Sequence, residues 1–243
     1  MPRTEPMPDT ESMQEPGTLA QRVVRSIIAY VRDNELKVGE TILSEGEFSQ
    51  QLGVSRTVVR EAFKALAAMN IIEVSAGRRA RVSAFDGSVM ALTLGHGLRT
   101  EQVTVQQIWD VRRSVEMRTV SLACMHRTER DAKRLLDLAR KMRETHGDID
   151  AMTEYDIEFH VTIAECTRNP LFPVLISSLT TVMRETNPIV WKVRTREDEQ
   201  LEVVDWHAQI ATAIKERDTA AAVRAMSRHF DEATLSLVNS GFN

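Results

Sequence analysis

The chain has 243 residues, 42% apolar and 27% charged, with 10 Gly and 7 Pro. That length suits one or two domains, and the composition excludes a disordered or collagen-like chain. The net charge of −4 argues against a uniformly basic protein, yet residues 18–82 hold ten Lys/Arg against seven Asp/Glu, a local basic excess.

Residues 1–17 are rich in Pro and Glu without hydrophobic period and read as a disordered tail. They show no apolar core after Arg3, so no secretory signal is read. No apolar run approaches the roughly 18 residues of a membrane span. Two cysteines, Cys124 and Cys166, form no metal or disulfide pattern. Buried thiols in a reducing, cytoplasmic setting are expected.

From Leu19, apolar residues recur every four positions (Val23, Ile27, Val31), which predicts a first helix. Ser44 and Glu47 have capping-box spacing and open a short second helix stopped by Gly53. Ser55 caps a third helix whose inward face is expected to carry Val58, Ala62, Leu66 and Met69. Ile71–Val74 and Ala80–Val82 read as two short strands around a turn at Gly77. Helix, short helix, Gly turn, helix and ribbon make a winged helix-turn-helix.

Arg56, Arg60 and Lys64, spaced by four, share the face of the third helix opposite its apolar side, with Ser55 and Thr57 at the helix start. A major groove accepts such a helix, and Arg can chelate guanine or pair with phosphate. Arg78 and Arg79 follow Gly77 at the ribbon turn. A solvated basic face that binds nothing is the plainer reading. The short helix, Gly turn and Ser-Arg-Thr start weigh against it.

Residues 84–100, apolar in the middle with glycines flanking, are expected to link the two halves through a short, Gly-hinged helix. Beyond them the chain reads as helices only, about six in residues 101–243, which makes an all-α bundle. The long helix from Thr104 to Met125 is expected to turn Ile108, Val111, Val115 and Leu122 inward. Others run from Thr128 to Gly147 and over 150–166. One starts at Asn169-Pro170, with a break or kink at Asn187-Pro188. Another begins at Thr195–Asp198, and the last is capped by Asp218 and ends near Gly241. Trp109, Trp191 and Trp206 suit a pocket wall or the core, and core packing is the favoured assignment.

Of six histidines, three fall on different predicted helices of this bundle, and Asp156 and His160 share one helix face at i,i+4. One carboxylate and three imidazoles suit a borderline divalent ion, Zn²⁺ first, with Ni²⁺ and Mn²⁺ also acceptable. Their long spacing leaves ordinary packed histidines open as a reading.

The stretch from Lys37 to Val82, and above all G-V-S-R-T-V-V-R-E-A at Gly53–Ala62, closely resembles the DNA-binding domain of GntR-type bacterial transcription regulators. That resemblance implies operator contacts from Ser55, Arg56, Thr57 and Arg60, with Gly77 and Arg78 at the wing tip. One departure is Gly46, where the family usually carries Arg. From about Val105 to Leu237 the chain is similar to the FCD effector domain of the FadR branch. The marks are V-R-R-S-V-E around Arg112, D-I-E-F-H, R-N-P, W-H-A-Q-I and S-R-H-F.

In metal-binding members such motifs supply one Asp and three His, which here are Asp156, His160, His207 and His229. The resemblance also makes Arg112 the anchor of an anionic effector, against the plainer reading of an Arg112–Glu116 pair at i,i+4. The implied whole is a mostly α protein: winged helix-turn-helix over residues 18–83, linker 84–100 and effector-binding, dimerisation bundle 101–243. It would be a ligand-responsive repressor released by a small carboxylate or sugar acid at the metal site, with double-stranded operator DNA, that small organic acid and a second copy of itself as partners, and no membrane. A metal-dependent hydrolase using the Asp/His set is the alternative; a purely structural ion is a third reading.

Overall fold

The computed structural model describes residues 16–192 and 197–239, and the chain divides into two compact units, one ending at Val89 and the other starting at Met90. Most of the predicted tail, the Thr195-Arg196 helix start and Gly241 lie outside the described residues.

In the first unit, α1 (Leu19–Asp33), α2 (Glu45–Leu52) and α3 (Arg56–Ala68) precede β1 (Ile72–Glu73) and β2 (Arg81–Val82). Local chemistry sets the boundaries. Thr18 and Gln21 form a capping box on α1, Ser44 and Glu47 another on α2, and the Ser55 hydroxyl accepts from Val58 N at 3.4 Å. Gly53 ends α2 in the left-handed region (φ 65°), where a side chain would be strained. The turn between α2 and α3 therefore depends on it.

The core gathers Val23, Ile27, Tyr30, Phe48, Val59, Phe63 and Leu66. Phe48 meets Tyr30 and Phe63 edge-on at 5.3 and 5.9 Å. The inward face of α3 is Val59, Ala62, Phe63 and Leu66. Val58 is half-buried and Met69, at the helix C-cap, is exposed. Phe63 turns the helix toward Phe48 because its ring buries more apolar surface than Val58. Arg56, Arg60 and Lys64 stay exposed.

The strands pair antiparallel, Ile72 with Val82 and Glu73 with Arg81, and are shorter than the sequence pattern predicts. Val74 is left exposed, and Arg81 also bridges Thr41, which diverts the ribbon edge toward the segment before α2.

The second unit takes in most of α4 (Ser88–Arg99), followed by α5 (Val105–His126), α6 (Glu129–Glu144) and α7 (Ile149–Cys166). Then come α8 (Leu171–Ser178), α9 (Thr180–Lys192), α10 (Glu197–Glu216) and α11 (Thr219–Asn239). The expected linker helix is α4; Gly95 and Gly97 lie within it rather than at its ends. α10 packs on α11 and α6, α11 on α5, and α7 on both α6 and α5, around Trp109, Leu135, Phe159, Ile163, Ile214 and Phe230.

Two expectations change. The stretch after Pro170 divides at Leu179, while Pro188 lies inside α9. The Ser178 and Thr180 hydroxyls donate to the carbonyls of Leu175 and Ser177 at 2.7 and 2.8 Å, which satisfies acceptors at the end of α8 and favours the break there. The face of α5 also differs. Val111 is exposed and Val115 and Leu122 are half-buried, while Arg112, Glu116 and Thr119 are buried beside Ile108, Trp109 and Val120.

Candidate functional site

Asp156 and His160 stand one turn apart on α7, His207 comes from α10 and His229 from α11. One ligand atom from each lies within 4.8 Å of all the others. His160, His207 and His229 are 0%, 1% and 6% exposed. The rings of His160 and His207 lie 5.1 and 4.6 Å from that of His229. The bundle thus brings together all four residues that the sequence singles out.

Their hydrogen bonds decide which of their atoms could serve as ligands. His207 Nδ1–H donates to the Val203 carbonyl at 2.8 Å, which leaves Nε2 toward Asp156 Oδ1 at 2.9 Å. His160 Nδ1–H donates to Glu116 Oε2, and its Nε2, 3.6 Å from Asp156 Oδ1, is buried without a hydrogen-bond partner among the described residues. A lone-pair nitrogen aimed at a carboxylate needs a cation between them, either a proton or a metal ion. Asp156 Oδ2 accepts from Asn187 Nδ2 at 2.7 Å, which fixes the carboxylate.

The electrostatics agree with this geometry. Burial opposes ionisation of Asp156, but His160 and His207 outweigh it and hold its pKa well below the carboxylate range. Burial likewise opposes a charge on His160, but Glu116 and Asp156 outweigh it and raise its pKa. Burial, reinforced by the neighbouring His207 and His160, pushes His229 well below the usual imidazole value. His229 is therefore neutral, as a metal ligand must be.

A cavity of about 40 Å³ opens on this cluster, lined by Arg112, Asp156, His207, His229 and the three tryptophans. Trp109, Trp191 and Trp206, assigned from sequence to core packing, thus line the cavity as well. The Arg112 guanidinium is 4.9 Å from the Trp109 ring centroid and 5.1 Å from that of Phe230. Its Nε donates to Glu116 Oε1 at 2.6 Å, while Nη1 and Nη2 are buried with no hydrogen-bond partner among the described residues. The i,i+4 pair exists, but in the core rather than on a solvated surface, and it leaves two donors unused. An anion entering the cavity would supply their acceptors.

Sequence reasoning missed Glu116 as a bridge and Asn187 as the support of Asp156. The signal for Glu116 is an Arg/Glu i,i+4 pair in a helix whose apolar neighbours bury it.

In the first unit, Ser55, Arg56 and Thr57 stand exposed at the start of α3, and Arg60 one turn on. Arg60 Nε lies 3.2 Å from Glu45 Oε2, and the Arg56 guanidinium lies beside Gly46, its Nη2 3.6 Å from where a Cβ would stand. At the ribbon turn Gly77 has φ 72°, Arg78 is exposed, and Arg79 pairs with Glu47 at 2.7 Å. Among the described residues no helix is long and apolar enough to cross a membrane.

Comparison with known proteins matches residues 19–82 to "Bacterial regulatory proteins, gntR family" and residues 107–232 to "FCD domain". The HTH-type transcriptional regulator LutR of Bacillus subtilis is 29% identical over 82% of this chain and 92% of its own length. The Glc operon transcriptional activator of Escherichia coli is 28% identical over 87% and 85%. The HTH-type transcriptional repressor NanR of Cronobacter sakazakii is 27% identical over 88% and 83%. A solved structure titled "Streptococcus agalactiae GntR" covers 90% of this chain and all of that chain, with a TM-score of 0.64 at 24% identity, which shows a shared fold. This chain therefore belongs to the gntR family of bacterial regulatory proteins and is a DNA-binding transcription regulator with an FCD domain.

Proposed function

We propose that this regulator is a repressor that responds to a small carboxylate bound between Arg112 and a divalent ion. The ion, Zn²⁺ in first place, is held by Asp156, His160, His207 and His229. The four supply an Asp/His₃ donor set, and the neutral His229 and partnerless His160 Nε2 suit it. One observation carries the effector reading: a buried guanidinium with two donors that lack hydrogen-bond partners among the described residues lines the same cavity as Asp156, His207 and His229.

In the DNA-binding unit, Ser55, Arg56, Thr57 and Arg60 would meet the operator, Arg60 releasing Glu45 as it does so, and Gly77 and Arg78 would form the wing tip. Segment 84–100 would carry the signal between DNA-binding and effector domains. One recognition helix reads only a half-site, so a homodimer on a two-fold operator fits. The acid shifts operator affinity only by its differential affinity for the two states. The acid is sensed and returned unchanged, not turned over, which sets this reading apart from a hydrolase.

Calorimetric titration tests the reading. A panel of hydroxy acids, dicarboxylates and sugar acids is added to the Zn²⁺-loaded protein, and the best binder is added to its complex with DNA selected from a random duplex library. Saturable binding that weakens DNA affinity supports it. A panel with no binder, or a binder that leaves DNA affinity unchanged, contradicts it.

A further inference from the structure

Glu116 lies outside the ion's ligand set, yet it is fully buried at the centre of the bundle with both carboxylate oxygens occupied. Oε2 accepts from His160 Nδ1–H and Oε1 from Arg112 Nε–H. A buried carboxylate is costly unless its charge is compensated. Here an arginine and a histidine each donate to one oxygen, Arg112 Nε–H to Oε1 and His160 Nδ1–H to Oε2, so neither oxygen is left unsatisfied. Among the described residues Glu116 is the hydrogen-bond partner of His160 Nδ1, and with the Phe159 and Phe230 rings packed against the imidazole it fixes the rotation of that ring.

Resting on the metal reading above, we infer that Glu116 is the positioning residue of the centre. It holds His160 with Nδ1 protonated and Nε2 aimed at the ion, and uses its second oxygen to aim the Arg112 guanidinium at the cavity. Ligating histidines elsewhere depend on such a partner on the far nitrogen for orientation and basicity. The two jobs demand an acceptor on each oxygen, and only an ionised carboxylate supplies both. A glutamine of the same shape has one oxygen and one NH₂. Its NH₂ would face either the Arg112 Nε–H or the His160 Nδ1–H, two donors against each other. The second conflict is relieved when His160 moves its proton to Nε2, which removes the ligand lone pair.

The test is Zn²⁺ affinity of the full-length protein, by competition with a chromogenic chelator, for wild type and Glu116→Gln, with helicity followed by circular dichroism. The variant is expected to keep its helicity and bind Zn²⁺ about 10- to 100-fold more weakly. Equal affinities in the two proteins would overturn the inference and leave the four-ligand site standing. Failure of wild type to bind Zn²⁺ would overturn the site itself.

A second measurement needs no variant and covers the case in which Glu116→Gln does not fold. In wild-type protein loaded with ¹¹³Cd²⁺ and labelled with ¹⁵N-histidine, the cadmium coupling is expected at His160 Nε2, with Nδ1 carrying a slowly exchanging proton. Coupling to His160 Nδ1 would overturn the inference, because that atom would then be turned away from Glu116.

Discussion

Replacing Arg112 with methionine separates the effector anchor from the ion. The side chain is 1% exposed and bound on one edge to Glu116 at 2.6 Å, with Nη1 and Nη2 unpartnered. Each charge-assisted hydrogen bond to a carboxylate contributes about 1.5–3 kcal/mol. Two lost bonds make about 3–6 kcal/mol, a drop in acid affinity of roughly 10²- to 10⁴-fold. Removing one partner of a buried ion pair costs about 3–5 kcal/mol of folding free energy. His160 Nδ1–H still donates to Glu116, so the lower end applies, within the roughly 5–15 kcal/mol available to a typical domain. Calorimetry of the best-binding acid, with Zn²⁺ content measured on the same sample, reads the result. The expected outcome is a folded variant with one ion per chain and no measurable acid binding. An acid affinity equal to wild type would refute the anchor role.

Three other outcomes are expected. Arg60→Ala, at a side chain 60% exposed, leaves the melting temperature unchanged. It weakens binding to the selected duplex by about 1–3 kcal/mol in a fluorescence titration, and unaltered affinity would remove Arg60 from the DNA surface. His207→Ala lowers Zn²⁺ affinity: if four ligands share the ~10–16 kcal/mol of a structural zinc site, one accounts for about 2.5–4 kcal/mol, or two to three orders of magnitude. Full retention in the chelator competition would show that His207 is not a ligand. Burial pushes the Cys166 thiol up to about 12, so the reactive thiolate is present below about one part in a thousand near pH 8.5. Iodoacetamide followed by mass spectrometry should modify Cys166 only after denaturation. Rapid labelling of the native protein would contradict its burial.

Much of this was legible in the residues. The capping box at Ser44 and the Ser55 cap reflect local hydrogen-bond chemistry, so sequence places the starts of α2 and α3 closely, while α1 is placed by its apolar period and its Thr18 capping box goes unread. The basic face of α3 follows from four-residue spacing alone. The Asp/His₃ cluster is different, because its histidines sit on three helices and only the bundle brings them together; their spacing left packed histidines open, and the resemblance singled out the set.

The main misreading falls on α5. Hydrophobic periodicity favours Val111 and Val115 and discounts Arg112 and Glu116, because a charge is normally expelled from a core. In the structure Arg112 has a buried counter-charge and two ring faces, while Glu116 has a histidine. The pattern fails where side chains serve the site rather than the fold. The tryptophans illustrate the same limit: a large apolar body suits a core and a cavity wall equally.

Native mass spectrometry of freshly purified protein, with the same sample weighed after denaturation, tests the central claim most directly. The account predicts a dimer that carries one divalent ion per chain, lost on denaturation, and a small-acid adduct that disappears in Arg112→Met. A folded protein that stays ion-free after incubation with Zn²⁺ would contradict it.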